Sequence, residues 1–180
     1  MQTAAVALLL AAACCGSCGA LQSAPSTAHV RGARCHAPAA AAGFDRGVWA
    51  TSAWDGLSTF DKMAWMRRLL DGSMSASEVN HAAWRGMGYQ LGSDAVLCAP
   101  DGSPCATPPD VLADAGVLAA LEAALPLDDD DEMESFDTLV ETLHGEELTQ
   151  LLIHKGDADF LARRTLLHWL YTSQPGLMLR

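Results

Sequence analysis

The sequence predicts an all-α fold, a small bundle of about five helices with a loop or short hairpin at 91–109. Apolar residues recur at three- and four-residue steps in several segments after residue 57, which is the spacing of one helix face. Most of these segments begin at a capping signal or end at glycine or proline. No segment alternates with period two for long, and no internal repeat is visible. The 180 residues suffice for one domain with one core.

Two serines place the starts of the first two helices. Ser58 and Ser75 are each followed three residues later by an acidic residue, the spacing of an N-terminal capping box. We therefore expect helices over 58–70 and 76–87. The apolar residues of their inner faces are Phe60, Met63, Met66 and Leu70 in the first helix, and Val79, Ala82, Ala83 and Met87 in the second.

A turn signal at 99–104, rich in proline, aspartate and glycine, separates two short apolar arms and predicts the loop or hairpin. A third helix is expected over 110–125, where Pro126 stops it. Its apolar positions are Leu112, Ala115, Leu118, Leu121 and Leu125.

The last two helices are separated by a change of phase. Phe136, Leu139, Val140 and Leu143 define the fourth helix, and Gly145 interrupts its period. Beyond that glycine the apolar residues continue on a shifted face, as Leu148, Leu151 and Leu152. A fifth helix is expected over 157–172, with Phe160, Leu161, Leu167, Leu170 and Tyr171 apolar.

The beginning of the chain has a different composition from the rest. No Asp or Glu occurs from Met1 to Phe44, whereas all 22 acidic residues follow. Residues 4–15 form an apolar run typical of the core of a signal peptide, and the run is too short to span a bilayer. The small residues Cys18 and Ala20 suit a signal peptidase. We expect a signal peptide over 1–20 and a single acidic helical domain over 45–180.

Residues 21–44 contain serine, threonine, arginine and many alanines but no acid, a composition typical of a transit peptide. A signal peptide followed by such a segment resembles the bipartite presequence of proteins imported into the complex plastids of algae. This resemblance implies a plastid location, in the stroma or peripheral to the thylakoid. The alternative is a disordered linker behind an ordinary signal peptide, which leaves a protein that is secreted or held in the endomembrane lumen. No later run reaches the roughly 18 apolar residues of a membrane span, so we expect no transmembrane segment in the mature chain.

The charge balance narrows the class of partner. The chain has 22 acidic and 11 basic residues, for a net charge of -11. Nucleic acid is therefore not an expected partner, because phosphate backbones select for clustered Lys and Arg. Acidic surfaces steer toward basic ones, so a protein partner with a basic surface is favoured. The candidate partner-binding residues are the acidic run Asp128, Asp129, Asp130, Asp131 and Glu132, together with Trp49 and Trp54.

Both groups of candidates have a plainer interpretation. Trp49 and Trp54 could dock on the domain's own core, although tryptophan is also enriched at interface hot spots. The acidic run could be a solvated helix N-terminus, which the helix dipole favours. A weak calcium candidate is Asp130, Glu132, Glu134 and Glu141, at the ligand spacing of an EF-hand loop but with Ser135 where that loop needs glycine. We expect no other metal site and no cofactor.

Cys98 and Cys105 are the two cysteines outside the leader, and they flank the predicted turn. A turn can bring two such residues within disulfide range. The bond would be structural in a secretory lumen and a thiol switch in a plastid stroma. Such a pair is similar to the thiol hairpin of the small Calvin-cycle scaffold proteins, and Ala53-Trp54-Asp55 is similar to their Ala-Trp-Asp motif, although the spacing differs and a second cysteine pair is absent. Two unbonded thiols in a loop are the alternative.

No catalytic motif is visible, and His81, His144 and His168 show no metal-ligand spacing. The leading hypothesis is a non-catalytic plastid accessory or assembly protein that acts through protein–protein interaction, with a peripheral place on a photosynthetic complex as one form of this role. The alternatives are a thiol-redox regulator that uses Cys98 and Cys105, and a secreted helical protein with a structural disulfide. An enzyme whose site assembles from residues distant in sequence stays open, and a deep pocket lined by these histidines and by carboxylates would favour it.

Overall fold

The computed structural model describes residues 43–125 and 130–173. The predicted signal peptide, all but the end of the transit-like segment, and Asp128 and Asp129 lie outside these residues. The all-α prediction is confirmed, since the described part of the chain is mostly helical with one small antiparallel sheet. Its elements are α1 (Arg46–Thr51), α2 (Thr59–Leu70), α3 (Ala76–Gly86), β1 (Gln90–Leu91), β2 (Leu97–Cys98), α4 (Ala115–Ala123), α5 (Asp130–His144), α6 (Glu146–His154) and α7 (Ala158–Ser173).

The two predicted serine caps start α2 and α3. The Ser58 hydroxyl accepts a hydrogen bond from the backbone N–H of Asp61 at 3.2 Å. Ser75 and Glu78 form a complete capping box, with each side chain bound to the other residue's backbone N–H at 3.3 and 3.0 Å. Such caps satisfy backbone donors that would otherwise be unpaired, and each contributes about 1 kcal/mol. They fix where both helices begin.

The segment after α3 is a small meander. β1 pairs with β2, with Gln90 opposite Cys98 and Leu91 opposite Leu97. The chain then reverses at Gly102, whose φ of +83° suits glycine, and returns so that Pro104 lies opposite Cys98. The predicted turn is therefore present, and β2 lies between two neighbouring segments instead of one.

The prediction for the third helix was wrong in its start. α4 begins at Ala115, because the Asp114 carboxylate accepts hydrogen bonds from the N–H groups of Gly116 and Val117. The preceding segment instead packs on α3, where the Val111 N–H donates to the Asn80 side chain at 2.9 Å. Of the inner residues predicted for this helix, Leu121 is buried and Ala115 is exposed, while Val117, which was not predicted, is buried.

The core is built around α7, which packs against α2, α3, α4 and α6. α5 closes the bundle against α2, and α1 lies on α3. One connected cluster of buried apolar residues links these helices except α6, whose half-buried Leu152 packs against the cluster. Its largest fully buried members are Trp84, Phe136, Phe160, Met66, Leu69, Leu70, Leu97, Leu121, Leu166, Leu167 and Leu170.

Within residues 43–125 and 130–173, no helix combines the length and the apolar character that crossing a bilayer requires.

Candidate interaction surface

α1 is held on α3 by two polar side chains. His81 is fully buried; its Nε2 accepts from the Asp45 N–H at 2.9 Å, and its Nδ1 lies 2.6 Å from the Ser77 carbonyl. Arg85 donates to the Ser52 hydroxyl at 2.9 Å and to the Trp49 carbonyl, with its guanidinium 4.1 Å from the centre of the Trp49 ring. Burial lowers the pKa of Arg85, and Asp55 acts against that shift.

The two arm tryptophans lie inside the fold. Trp49 is 7 % exposed and Trp54 is 5 % exposed, and Trp54 packs edge-on against Trp65 with ring centres 4.2 Å apart. Docking on the core, one of the two interpretations of these residues, is what the structure shows. Both indoles therefore offer little area to a partner, and their packing orders the arm.

Phe60 is more exposed than its place in the helical pattern predicted. Its side chain is 80 % exposed, because it lies in the first turn of α2, before that helix reaches the core at Met66, Leu69 and Leu70. An open groove of about 320 Å³ lies nearby, between α1, α2 and α3. Its lining includes Val48, Leu57, Trp65, Asp61, Arg68 and Glu78.

The register of the meander separates Cys98 from Cys105. Cys98 lies opposite Pro104, and the Cys105 N–H donates to the Leu97 carbonyl at 2.8 Å, so Cys105 lies opposite Leu97. Directly opposite residues share a face and successive residues alternate. Cys105 therefore faces the core with Leu97, while Cys98 faces the other side, and no disulfide joins them. A bond between them requires the backbone to rearrange.

α6 exposes most of its apolar residues to solvent. Gly145, with φ +90°, separates it from α5 and turns its helix face relative to the preceding one. Leu148 is 44 % exposed and Leu151 is 47 % exposed, whereas the buried residue of this helix is Thr149. Leu148, Leu151 and Leu152, at three- and four-residue steps, form one stripe along the helix, which we call the leucine stripe.

α5 carries an acidic stripe beside this helix. Asp130, Glu134, Asp137 and Glu141 recur at four-, three- and four-residue steps, so they lie on one side of α5. Asp137 pairs with Arg164 of α7, and the other three have no basic partner among the described residues. From residue 130 to residue 154 the chain has eight acidic side chains and no Lys or Arg. Both α5 and α6 thus contribute negative charge.

A small cleft lies where α5 meets α6. Its volume is about 50 Å³, and its lining includes Glu141, Thr149, Gln150, Ile153 and Arg164. The Thr149 hydroxyl and the Arg164 Nε are buried there without a hydrogen-bond partner among the described residues. Buried polar groups are normally paired. The Thr149 hydroxyl can still donate or accept a hydrogen bond in the cleft, and the Arg164 Nε–H can still donate one.

The calcium candidates do not converge on a point. Asp130 and Glu141 lie on one continuous helix, about 16 Å apart along its axis, whereas an EF-hand gathers its ligands in a loop. Within the described residues, no group of three or more His, Cys, Asp or Glu side chains is placed to hold a metal ion.

The three candidate histidines lie apart from one another, with His81 and His168 buried and His144 half-buried. His81 stacks on Phe44, His144 on Phe160 and His168 on Phe136, with ring centres 5.3, 5.4 and 4.2 Å apart. Neither the groove nor the cleft described above has a histidine in its lining. These three residues therefore act as packed aromatic groups here.

Sequence reasoning did not identify the leucine stripe as a surface feature. The signal was the shifted phase of Leu148, Leu151 and Leu152 after Gly145, which separates them from the buried face of α5. The acidic run, by contrast, was identified, and its described members Asp130, Asp131 and Glu132 form the first turn of α5.

Comparison of the chain with protein-family models, curated proteins and solved structures gives no match.

Proposed function

We propose that this protein is a non-catalytic accessory or assembly protein that acts in a plastid by binding another protein. The leucine stripe of α6 is the observation that carries this proposal. Leu148 and Leu151 are nearly half exposed on one short helix, although the same fold buries a large apolar cluster elsewhere. Adjacent exposed apolar side chains with a polar surround are typical of interaction sites.

The plastid assignment rests on the leader. An acid-free stretch of 44 residues, with an apolar run before a serine- and arginine-containing segment, has the composition of a two-part import signal. A peripheral place on a photosynthetic complex is one form of this role, and its only support is the inferred compartment. Secretion, with residues 21–44 as a linker, is the alternative for localisation.

The test is purification of a tagged full-length chain from the organism that encodes it, under gentle conditions. Mass spectrometry then identifies the co-purifying proteins and the mature N-terminus. We expect a near-stoichiometric plastid protein and a mature chain that starts close to Phe44. A chain recovered alone and starting close to Leu21 would overturn both the partner and the compartment.

A further inference from the structure

We propose that the cleft where α5 meets α6 binds one primary carboxamide group, the group that ends an asparagine or glutamine side chain. In this site the Arg164 Nε–H donates to the carbonyl oxygen of the ligand, and the Thr149 hydroxyl accepts from its NH₂ group. The inference goes beyond the proposed function and does not depend on the leucine stripe, because at about 100° per residue the cleft-lining residues of α6 lie on another side of that helix.

Two polar groups in the cleft have no partner among the described residues. Thr149 is 3 % exposed and its hydroxyl is buried without a hydrogen bond, and the Nε–H of Arg164 is buried in the same way. Arg164 pairs with Asp137 through its Nη2 atom, so that ion pair does not use the Nε–H. Native proteins leave few buried polar atoms unpaired, and two in one small cleft indicate a site that receives a polar group.

The shape of the cleft sets the size of that group. Val140 and Thr149 are buried and form its floor, whereas Gln150 and Ile153 are exposed and lie at its mouth. Its volume of about 50 Å³ exceeds the roughly 30 Å³ of one water, which is room for the few atoms of a carboxamide. Exposed side chains change rotamer rapidly, so Gln150 and Ile153 can turn aside to admit the group.

The hydrogen-bonding groups of the cleft select a ligand that both donates and accepts. The Arg164 Nε–H only donates, the Glu141 carboxylate only accepts, and the Thr149 hydroxyl does either. A carboxamide carries an acceptor and a donor on neighbouring atoms, so it can serve all three. An ammonium group only donates and would leave the Arg164 Nε–H unpaired.

Charge and geometry disfavour two related groups. A carboxylate would meet Asp137 and Glu141 in a cleft whose one lining cation is Arg164, and residues 130–154 carry eight acidic side chains and no Lys or Arg. A peptide bond of the backbone is trans, so its C=O and N–H point in opposite directions and cannot both reach neighbouring groups. The side-chain amide has neither disadvantage.

The probe is acetamide, titrated into the ¹⁵N-labelled full-length chain and followed by NMR. A ligand this small binds weakly, so we expect saturable shifts of the Arg164 Nε–H and the Thr149 N–H in the millimolar range. Acetate and acetamidinium have nearly the same shape, but the first only accepts and the second only donates; both should bind about tenfold more weakly, as should N-methylacetamide. Equal binding of these probes would overturn the proposal. Shifts that never saturate, with a long-lived water beside Thr149, would assign the cleft to an ordered water alone and would also overturn it.

Two variants remove the proposed contacts one at a time. Thr149→Val removes the hydroxyl and keeps the shape, and Arg164→Lys removes the Nε–H and keeps a charge for Asp137; each should weaken acetamide binding about tenfold. The matched control is Thr142→Val, an exposed threonine of α5 whose hydroxyl donates to the Thr138 carbonyl at 2.8 Å, and it should leave the affinity unchanged. Equal effects of the two valine variants would refute the site, and circular dichroism of every variant establishes that the fold is retained.

Glu141→Gln tests how the cleft rejects anions. The variant keeps an acceptor and removes a negative charge, so acetamide affinity should stay within about twofold while acetate binds about fivefold more tightly than to the wild-type chain. Unchanged exclusion of acetate would contradict the charge argument.

The purification described above distinguishes the two sources of a carboxamide. A protein that the wild-type chain retains and the Thr149→Val chain loses would supply the group from an asparagine or glutamine side chain. A protein that both chains retain equally, with acetamide binding that still depends on Thr149, would assign the cleft to a free small amide. Failure of acetamide to bind refutes this inference alone, whereas a wild-type chain with no partner refutes the proposed function alone.

Discussion

Replacement of Arg85 by alanine should detach α1 and lower the free energy of unfolding by about 3 kcal/mol. The guanidinium donates to the Ser52 hydroxyl and the Trp49 carbonyl and lies over the Trp49 ring. Hydrogen bonds to a charged group contribute about 1.5–3 kcal/mol each when partly buried, and the cation–π contact contributes about 0.5–1 kcal/mol. The sum exceeds 3 kcal/mol, and water that reaches the Trp49 carbonyl in the variant recovers part of it.

Urea unfolding followed by circular dichroism measures this loss, with Arg67→Ala, an exposed arginine on α2, as the control. Tryptophan fluorescence should shift to the red in the Arg85 variant even without urea, because Trp49 becomes solvated. Limited proteolysis should then cut near Thr51. An Arg85→Ala chain with wild-type stability and no red shift would refute the view that this side chain holds α1 on α3.

Three further predictions concern single side chains. Thr149→Val should raise the free energy of unfolding by about 1 kcal/mol, since it removes a buried unpaired hydroxyl; a loss of stability would show that the hydroxyl is bonded. Burial, followed by the nearby Arg164, lowers the pKa of His168 from its ordinary 6.5, so the folded state binds the proton less readily than the unfolded state. This contribution to stability is complete above the unfolded pKa and is lost as pH falls through the folded pKa. His168→Phe should therefore flatten the loss of stability as pH falls below the ordinary pKa of 6.5, and an unchanged pH profile would contradict it. In the native protein Cys98 should react with a thiol reagent well before the buried Cys105, and mild oxidation should not join them; a rapidly formed Cys98–Cys105 bond, mapped by mass spectrometry, would contradict the register.

The helix starts at Ser58 and Ser75 were predictable because a cap is a local interaction. The side chain that accepts the hydrogen bond lies three residues from the donor, so a short stretch of sequence contains both partners. The start of α4 was predicted too early, although its Asp114 cap is also local, because a contact with a residue distant in the sequence holds the preceding segment out of the helix. Asn80, from a distant helix, binds the Val111 N–H and holds that segment out of a helix.

The features of the candidate site likewise fall into those that are visible in the sequence and those that depend on contacts between distant residues. The acidic run was visible in the sequence because charge is a property of composition. The burial of Trp49 and Trp54 depends on Arg85, Trp65 and α3, none of which is adjacent to them in the chain. The separation of Cys98 from Cys105 depends on register, and a turn signal does not specify which face each residue takes.

By itself, the sequence determined the helical class, the caps, the acidic surface and the compositional boundary near Phe44, since each depends on neighbouring residues or on totals. Tertiary structure alone decided which apolar residues reach the core. Leu148, Leu151 and Phe60 have the same spacing as buried residues, yet they face solvent because the bundle is filled by side chains from other helices. Burial is a property of what packs around a residue, and the residues that pack together are often far apart in the chain.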